Sequence, residues 1–502
     1  MSQLKKGAIL NYVTIFLTNV IGLFITPFIL NHLGKAEYGV YTAIGALVGT
    51  ISILDLGLNN TIVRFVAKYR AEKNRKGEEN FLATSMIIYC VISSVIVFLG
   101  ILFYGHIDTY FTKMNTEEIE IAKTIFILLI FNLAIGLPGG SFKAICFGYE
   151  IFVFPKAINI IRYVLRTLTV VAVLTMGGKA IALVAIDTCF NIIFLLVNIY
   201  YVFIKLKVRF KLYEFNFKYL KQIFSYSIWI FVYGIVAQFQ WKAGHIVLGN
   251  FAYPEVLAIY SIGLTLGSYY GAFSSAITGV LLPRATQMTV NNASSKELTD
   301  MMIKIGRVSF IVLTYILGGF ILFGSQFVNL WVGESFFDSY IIALMIMAAY
   351  TIPLVQGFTG PLIEAQNKVV FKSITYLVFL TLGTLIGYFL AMKYGAVGMI
   401  SGTIMGWIIA QNIMNIFYHK VLNLNVLRFF KELFNKTLLV FLVILIIGYF
   451  ISLAPGIGWF NFIFKGISYS IVFAFLMLKF GMIPYEKKLF SEVFLKLKKR
   501  DT

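Results

Sequence analysis

Stretches of about 20 largely apolar residues, the length an α-helix needs to cross the hydrocarbon core of a bilayer, recur along nearly the whole chain. They fall near 8–31, 38–61, 81–104, 121–143, 153–176, 180–204, 224–248, 256–282, 304–324, 339–363, 369–392, 395–418, 435–453 and 459–482. A chain so divided has few folds open to it. The bilayer core offers no water to backbone groups, so each span must satisfy them internally, as an α-helix does. The expected fold is therefore all-α and integral to the membrane, with about fourteen transmembrane helices. Charged residues make up only 13% of the chain, about half the share of a soluble domain. The first stretch is too long for a signal-peptide core and lacks a small-residue cleavage site, so it reads as the first span.

The loops set the expected orientation. The formal charge is +20, from 42 Lys and Arg against 22 Asp and Glu. On a soluble chain this excess would point to nucleic acid. Here the cations lie between apolar segments, which reads as cytoplasmic loops and argues for no nucleic-acid partner. Loops after even-numbered spans are basic: Arg64, Lys68, Arg70, Lys73, Arg75 and Lys76 after the second, and Lys205, Lys207, Arg209 and Lys211 after the sixth. Lys420, Arg428, Lys431 and Lys436 follow the twelfth, and the tail carries Lys487, Lys488, Lys496, Lys498, Lys499 and Arg500. Loops after odd-numbered spans are short or acidic. Both termini are thus expected in the cytoplasm.

Weak internal matches recur at a nearly constant spacing. KAINI at 156–160 and KSITY at 372–376 are 216 residues apart, as are AIALV at 180–184 and AVGMI at 396–400. GVYTA at 39–43 and AIYSI at 258–262 are 219 apart. The spacing suggests two parallel six-helix repeats, a plan known among transporters, plus a C-terminal helix pair. The expected divisions are a first bundle at 1–204, a cytoplasmic linker at 205–223, a second bundle at 224–420, and a helix pair with a basic tail at 421–502. The loops have no room for a soluble catalytic domain, and there is no G-x-x-x-x-G-K-[ST] phosphate loop. An enzyme is not expected. Cys90, Cys146 and Cys189 show neither metal-ligand nor disulfide spacing.

The segment GKAEYGVY from Gly34, followed by DLGLNNTIVRFVAKY ending at Tyr69, resembles the N-terminal region of the polysaccharide biosynthesis protein family. These are O-antigen and capsule flippases of the multidrug/oligosaccharidyl-lipid/polysaccharide exporter superfamily. The resemblance implies two bundles around a central cavity, alternating access, and a substrate of undecaprenyl-pyrophosphate-linked oligosaccharide. It also implies membrane lipids as surroundings, and a polysaccharide polymerase and chain-length machinery as partners, in the bacterial cytoplasmic membrane. A cation-coupled drug exporter and a peptidoglycan-precursor flippase are rival readings with the same fold.

Ionisable residues inside spans are the best candidates for a site, because an unpaired charge in lipid is costly. In the fifth span Asn159, Arg162, Tyr163 and Arg166 share one helical face by their spacings of three and four. Arg166 lies roughly 16 Å along the helix from Pro155, near mid-membrane. A guanidinium fork suits phosphate oxygens, so Arg162, Arg166 and Asn159 are candidate substrate ligands. Pairing of Arg166 with a buried carboxylate is the competing expectation. Gln238, Lys242 and His245 form a similar stripe in the seventh span, where cavity lining and interfacial packing both remain open. Asp55, Asp187 and Glu364 are the candidate counter-charges. Asp187 shares a face with Asn191 and reads either as a seat for a coupling Na+ or H+ or as an arginine's partner. Arg64, Lys143 and Arg284 read as topology anchors. No other cofactor is expected.

Overall fold

The structure, a computed structural model, describes residues 3–55, 58–214, 217–278, 281–366 and 368–489. Among these residues the regular elements are all helical. In chain order they begin with α1 (Gln3–Leu33), α2 (Lys35–Ile51), α3 (Leu58–Ala71), α4 (Arg75–Tyr104), α5 (Ile107–Tyr110), α6 (Thr116–Gly148), α7 (Val153–Thr175), α8 (Ala180–Tyr200) and α9 (Phe217–Phe251). They continue with α10 (Pro254–Thr278), α11 (Leu282–Val290), α12 (Ser295–Val332), α13 (Phe337–Val355), α14 (Thr359–Ala365), α15 (Val369–Lys420), α16 (Val426–Phe434), α17 (Thr437–Ser452) and α18 (Gly458–Leu476). Ten described helices are long and apolar enough to cross a membrane, or eleven if the bent pair α16 and α17 is one span. The expected class, an all-α membrane protein, is the class observed.

Helices start where polar residues interrupt the apolar runs. Asn74 accepts a hydrogen bond from Gly77 N at the start of α4. Asn115 with Glu118 closes a capping box on α6, and Ser294 with Glu297 does so on α12. Each cap satisfies amide groups that a helix leaves open at its N-terminus.

Three expected spans look different in the structure. The stretch 38–61 is not one helix: α2 ends at Ile51, a 3-10 turn covers Ser52–Asp55, and α3 starts at Leu58. The two spans at 369–392 and 395–418 lie on one 52-residue element, α15, broken at Gly395 with φ +54° and ψ −136°. Glycine adopts that conformation without a Cβ clash. The arms then press together: a Cβ on Gly402 would sit 2.1 Å from Gly387 N, and one on Gly406 would sit 2.1 Å from Phe379 O. Small residues of this kind let membrane helices approach at the backbone.

The chain packs into two compact units. One comprises Met1–Ser261 and Tyr388–Met399, the other Ile262–Gly387 and Ile400–Thr502. In the first, α6 is the hub, packing against α2, α3, α4 and α8. α7 packs on α1 and α8, and α9 on α2 and α3. The packing boundary thus falls beyond the 205–223 linker and keeps α9 with the first unit. In the second, α17 and α18 close over α12 through Ile311, Phe323, Phe441, Ile444, Tyr469, Phe473 and Met477.

The motif that begins at Gly34 is explained by packing within the first unit. Glu37 on α2 is 9% exposed. It accepts a 2.7 Å hydrogen bond from Ala180 N and lies 3.9 Å from Lys179 Nζ, so it caps the start of α8. Gly39 faces the start of α10, where a Cβ would fall 1.8 Å from Pro254 O. Phe65 of α3 stacks on Phe81 of α4, and Tyr69 packs against the same ring at a tilt.

Candidate functional site

α7 and α8 form an antiparallel hairpin turned through Gly177 and Gly178, where Gly178 N donates to Val173 O. Antiparallel pairing sets Arg166 opposite Asp187. One helical turn further from the bend on each helix, it sets Arg162 opposite Asn191. Both pairs are made. Arg166 Nε donates to Asp187 Oδ1 at 2.6 Å and Nη2 to Oδ2 at 3.1 Å, a two-pronged ion pair. Arg162 donates to Asn191 Oδ1.

α6 supplies the third wall. Asn191 Nδ2 donates to Asn132 Oδ1 at 3.1 Å, and Asn132 Nδ2 donates to Thr188 Oγ1 at 2.8 Å. Tyr163 donates from its hydroxyl to Thr18 O on α1. The polar faces of the three helices enclose a cavity of 370 Å³ lined by Leu129, Asn132, Asn159, Arg162, Tyr163, Arg166, Asp187 and Asn191. That volume is at the low end of the roughly 300–1,000 Å³ of small-molecule pockets. It fits a charged head group or a sugar ring rather than an oligosaccharide.

The wall carries two guanidinium groups and one carboxylate. Lys143 of α6 adds a further positive charge within electrostatic range of Arg162. Arg166 and Asp187 keep 18% and 27% of their side-chain surface exposed, so the pair borders the cavity instead of being sealed in the core. Its chemistry suits an anion with several oxygens, which charge-assisted donors hold about twice as strongly as neutral ones do. The asparagines add neutral donors and acceptors of the sort hydroxyl-rich ligands use.

Of the residues singled out from sequence, Asn159, Arg162, Arg166 and Asp187 come together here. Gln238, Lys242 and His245 are not among the lining residues. All three lie on α9, which packs against α2. Lys242 lies along Gly49, where a Cβ would stand 3.4 Å from Lys242 Cε. His245 is 7% exposed, its Nε2 2.7 Å from Ser261 Oγ and its ring edge-on to Tyr260. These two contacts join α9 to α10 within the first unit. Asp55 ends a 3-10 turn, and its side chain lies outside the described residues. Asn132 was missed; an amide in mid-span of the apolar α6 was the available signal.

The second unit has a polar network of its own, built from neutral side chains among the described residues. Tyr376 donates to Gln411 Oε1 at 2.6 Å, Gln411 Nε2 to Gln356 Oε1 at 2.6 Å, and Gln356 Nε2 to Asn415 Oδ1 at 2.9 Å. Gln356 is 1% exposed, so this network ties helices together rather than opening to a ligand.

Residues 4–289 match the family model described as "Polysaccharide biosynthesis protein". Over 375 residues, 74% of this chain and 87% of the other, the sequence is 22% identical to a Shigella flexneri protein named "Putative O-antigen transporter". Among solved structures, a lipid II flippase, MurJ, in an inward closed conformation is similar with a TM-score of 0.68 at 16% identity, over 94% of this chain and 99% of that one. An inward-facing multidrug resistance MATE family transporter of the MOP superfamily is similar with a TM-score of 0.58 at 14% identity, over 79% of this chain and 96% of that one. Likeness at such low identity speaks to the fold.

Proposed function

Because the chain belongs to the polysaccharide biosynthesis protein family, we propose that it flips undecaprenyl-pyrophosphate-linked oligosaccharide across the bacterial cytoplasmic membrane by alternating access, for surface polysaccharide assembly. The observation that carries this reading is the first-unit cavity, with Arg162 and Arg166 among asparagines. The diphosphate meets the guanidinium groups, the first sugar meets the amides, the rest of the glycan lies outside this cavity, and the prenyl tail stays in lipid. No bond is made or broken. A polymerase and chain-length machinery receive the product.

Arg166 is already held by Asp187, which gives the mechanism its order. A diphosphate oxygen that takes the Arg166 fork must displace the carboxylate. A carboxylate left without its partner in a low-dielectric site is unfavourable, so Asp187 then takes up a cation, H+ or Na+. Anion capture and cation uptake are thereby linked at one pair of residues.

Cells lacking the protein are expected to lose surface polysaccharide and to accumulate the lipid-linked oligosaccharide on the cytoplasmic face, with peptidoglycan synthesis intact. Arrest of peptidoglycan instead would assign the diphosphate site to a precursor flippase. Normal polysaccharide with raised drug sensitivity would favour an exporter.

Orientation follows from the loop charges, with both termini in the cytoplasm. In protein freed of Cys90, Cys146 and Cys189, a membrane-impermeant thiol reagent added outside should label Glu117→Cys and not Glu72→Cys. Both positions are exposed, and both avoid Asn74 and Asn115, whose side chains hold helix starts. The opposite labelling would invert the topology.

A further inference from the structure

The segment after α8 does not behave as a loose tether. From 206 to 214 it runs along the first turns of α4 and is fixed there. Lys211 N donates to Glu79 O, Tyr213 N and Glu214 N donate to Asn80 Oδ1 at 2.7 and 3.0 Å, and Asn80 Nδ2 returns a bond to Glu214 O at 2.9 Å. The Tyr213 hydroxyl donates to Glu79 Oε2 at 2.8 Å. Lys207 turns the chain into this strap with φ +53°, a conformation uncommon outside glycine.

Burial alternates over the first half of the strap. Val208 is buried, while Lys207 and Arg209 are exposed. Phe210 packs on Phe142 and Phe203. Phe210 and Leu212 form the end wall of a 720 Å³ groove whose length is a stripe on α4 through Ile87, Cys90, Ser94 and Phe98. From Ile87 to Phe98 the stripe covers roughly 16 Å at 1.5 Å per residue, about half of a hydrocarbon core of ~30 Å. The stripe therefore runs along α4 for about the thickness of one leaflet. The strap carries Lys207, Arg209 and Lys211, all exposed, and Lys205 precedes it. The nearby carboxylate of Glu79 is taken up by Arg75 and Tyr213, and Glu214 lies at the far end of the strap.

We propose that the α4 groove and its basic strap form a binding site for an anionic phospholipid of the cytoplasmic leaflet. An acyl chain lies in the groove and the headgroup phosphate meets the strap cations. Charge complementarity selects this occupant. A zwitterionic lipid would gain the groove but not the strap, and juxtamembrane cations attract anionic headgroups at about fivefold in affinity per side chain. The site is separate from the Arg166 cavity and does not depend on what that cavity transports.

The test uses the purified full-length protein released from mixed micelles of dioleoyl phosphatidylglycerol and dioleoyl phosphatidylcholine, with retained lipid counted by native mass spectrometry. Wild type should keep phosphatidylglycerol in preference. The triple variant Lys207→Gln, Arg209→Gln, Lys211→Gln should lose that preference, by on the order of a hundredfold for three cations. Ser94→Trp, which fills the groove from an exposed position, should shed the long-chain lipid while thermal stability stays at the wild-type value. Equal retention of the two lipids by wild type would overturn the site. So would unchanged phosphatidylglycerol retention in either variant, or its displacement by added undecaprenyl diphosphate at equal concentration.

Discussion

Arg307→Ala should lower the stability of the detergent-purified protein by about 3–5 kcal/mol, the cost of breaking a buried ion pair by removing one partner. Arg307 and Glu486 are 4% and 1% exposed, with Nε 2.5 Å from Oε1 and Nη2 3.3 Å from Oε2. The remaining guanidinium protons go to backbone: Nη1 donates to Glu432 O and Asn435 O, and Nη2 to Gly481 O. One side chain on α12 thus gathers the end of α16, the turn before α17 and the turn after α18. Alanine would leave a buried carboxylate whose remaining partner among the described residues is the Ile483 amide, and three carbonyls without this donor. Lysine keeps the charge but has no fork to reach all of these acceptors, so Arg307→Lys should fall between. Arg307→Met with Glu486→Gln should regain much of the loss, because neither change leaves a bare charge. Thermal unfolding measurements decide it: a wild-type midpoint for Arg307→Ala would show that the pair does not hold the C-terminal helices.

That pair also shows where sequence reading ends. Arg307 looks like one more cation near the start of a span, and its partner lies 179 residues further on. No periodicity links the two. The α7–α8 pairs are different. Arg162 and Arg166 share a face by their spacing, Asp187 and Asn191 do the same, and a short connection through two glycines makes the helices antiparallel neighbours. Register then follows from geometry, and the candidate site was largely legible. Asn132 belongs to α6, whose approach depends on tertiary packing, and nothing local pointed it at Arg162. α9 is apolar on most sides, so the stripe of Gln238, Lys242 and His245 has a helical spacing but no contrasting face to fix its direction. The break inside 38–61 was hidden because a hydropathy window averages across one 3-10 turn.

Arg166→Ala should abolish most surface polysaccharide, and the companion change at Asp187 separates the two causes of that loss. If Arg166 reads the diphosphate, alanine removes two charge-assisted hydrogen bonds worth roughly 1.5–3 kcal/mol each, a loss of tenfold or more in binding for each bond. It also strips Asp187 of its partner. The resulting instability is smaller than at Arg307, since the pair keeps 18% and 27% of its side-chain surface exposed and water screens what remains. Arg166→Ala with Asp187→Asn removes both charges and the instability with them. A binding role predicts that this double variant reaches normal abundance in the membrane and still fails to export. A purely structural role predicts that it exports as wild type does. Arg166→Lys, with charge but no planar fork, should retain partial activity. Asp187→Asn alone leaves the guanidinium without its carboxylate: it should still capture the anion, but lose the dependence of export on the cation gradient. The measurement is surface polysaccharide per unit of membrane protein in a strain lacking the native copy. Wild-type polysaccharide from the double variant would remove Arg166 from the transport path and leave the α7–α8 pair as a brace between two helices.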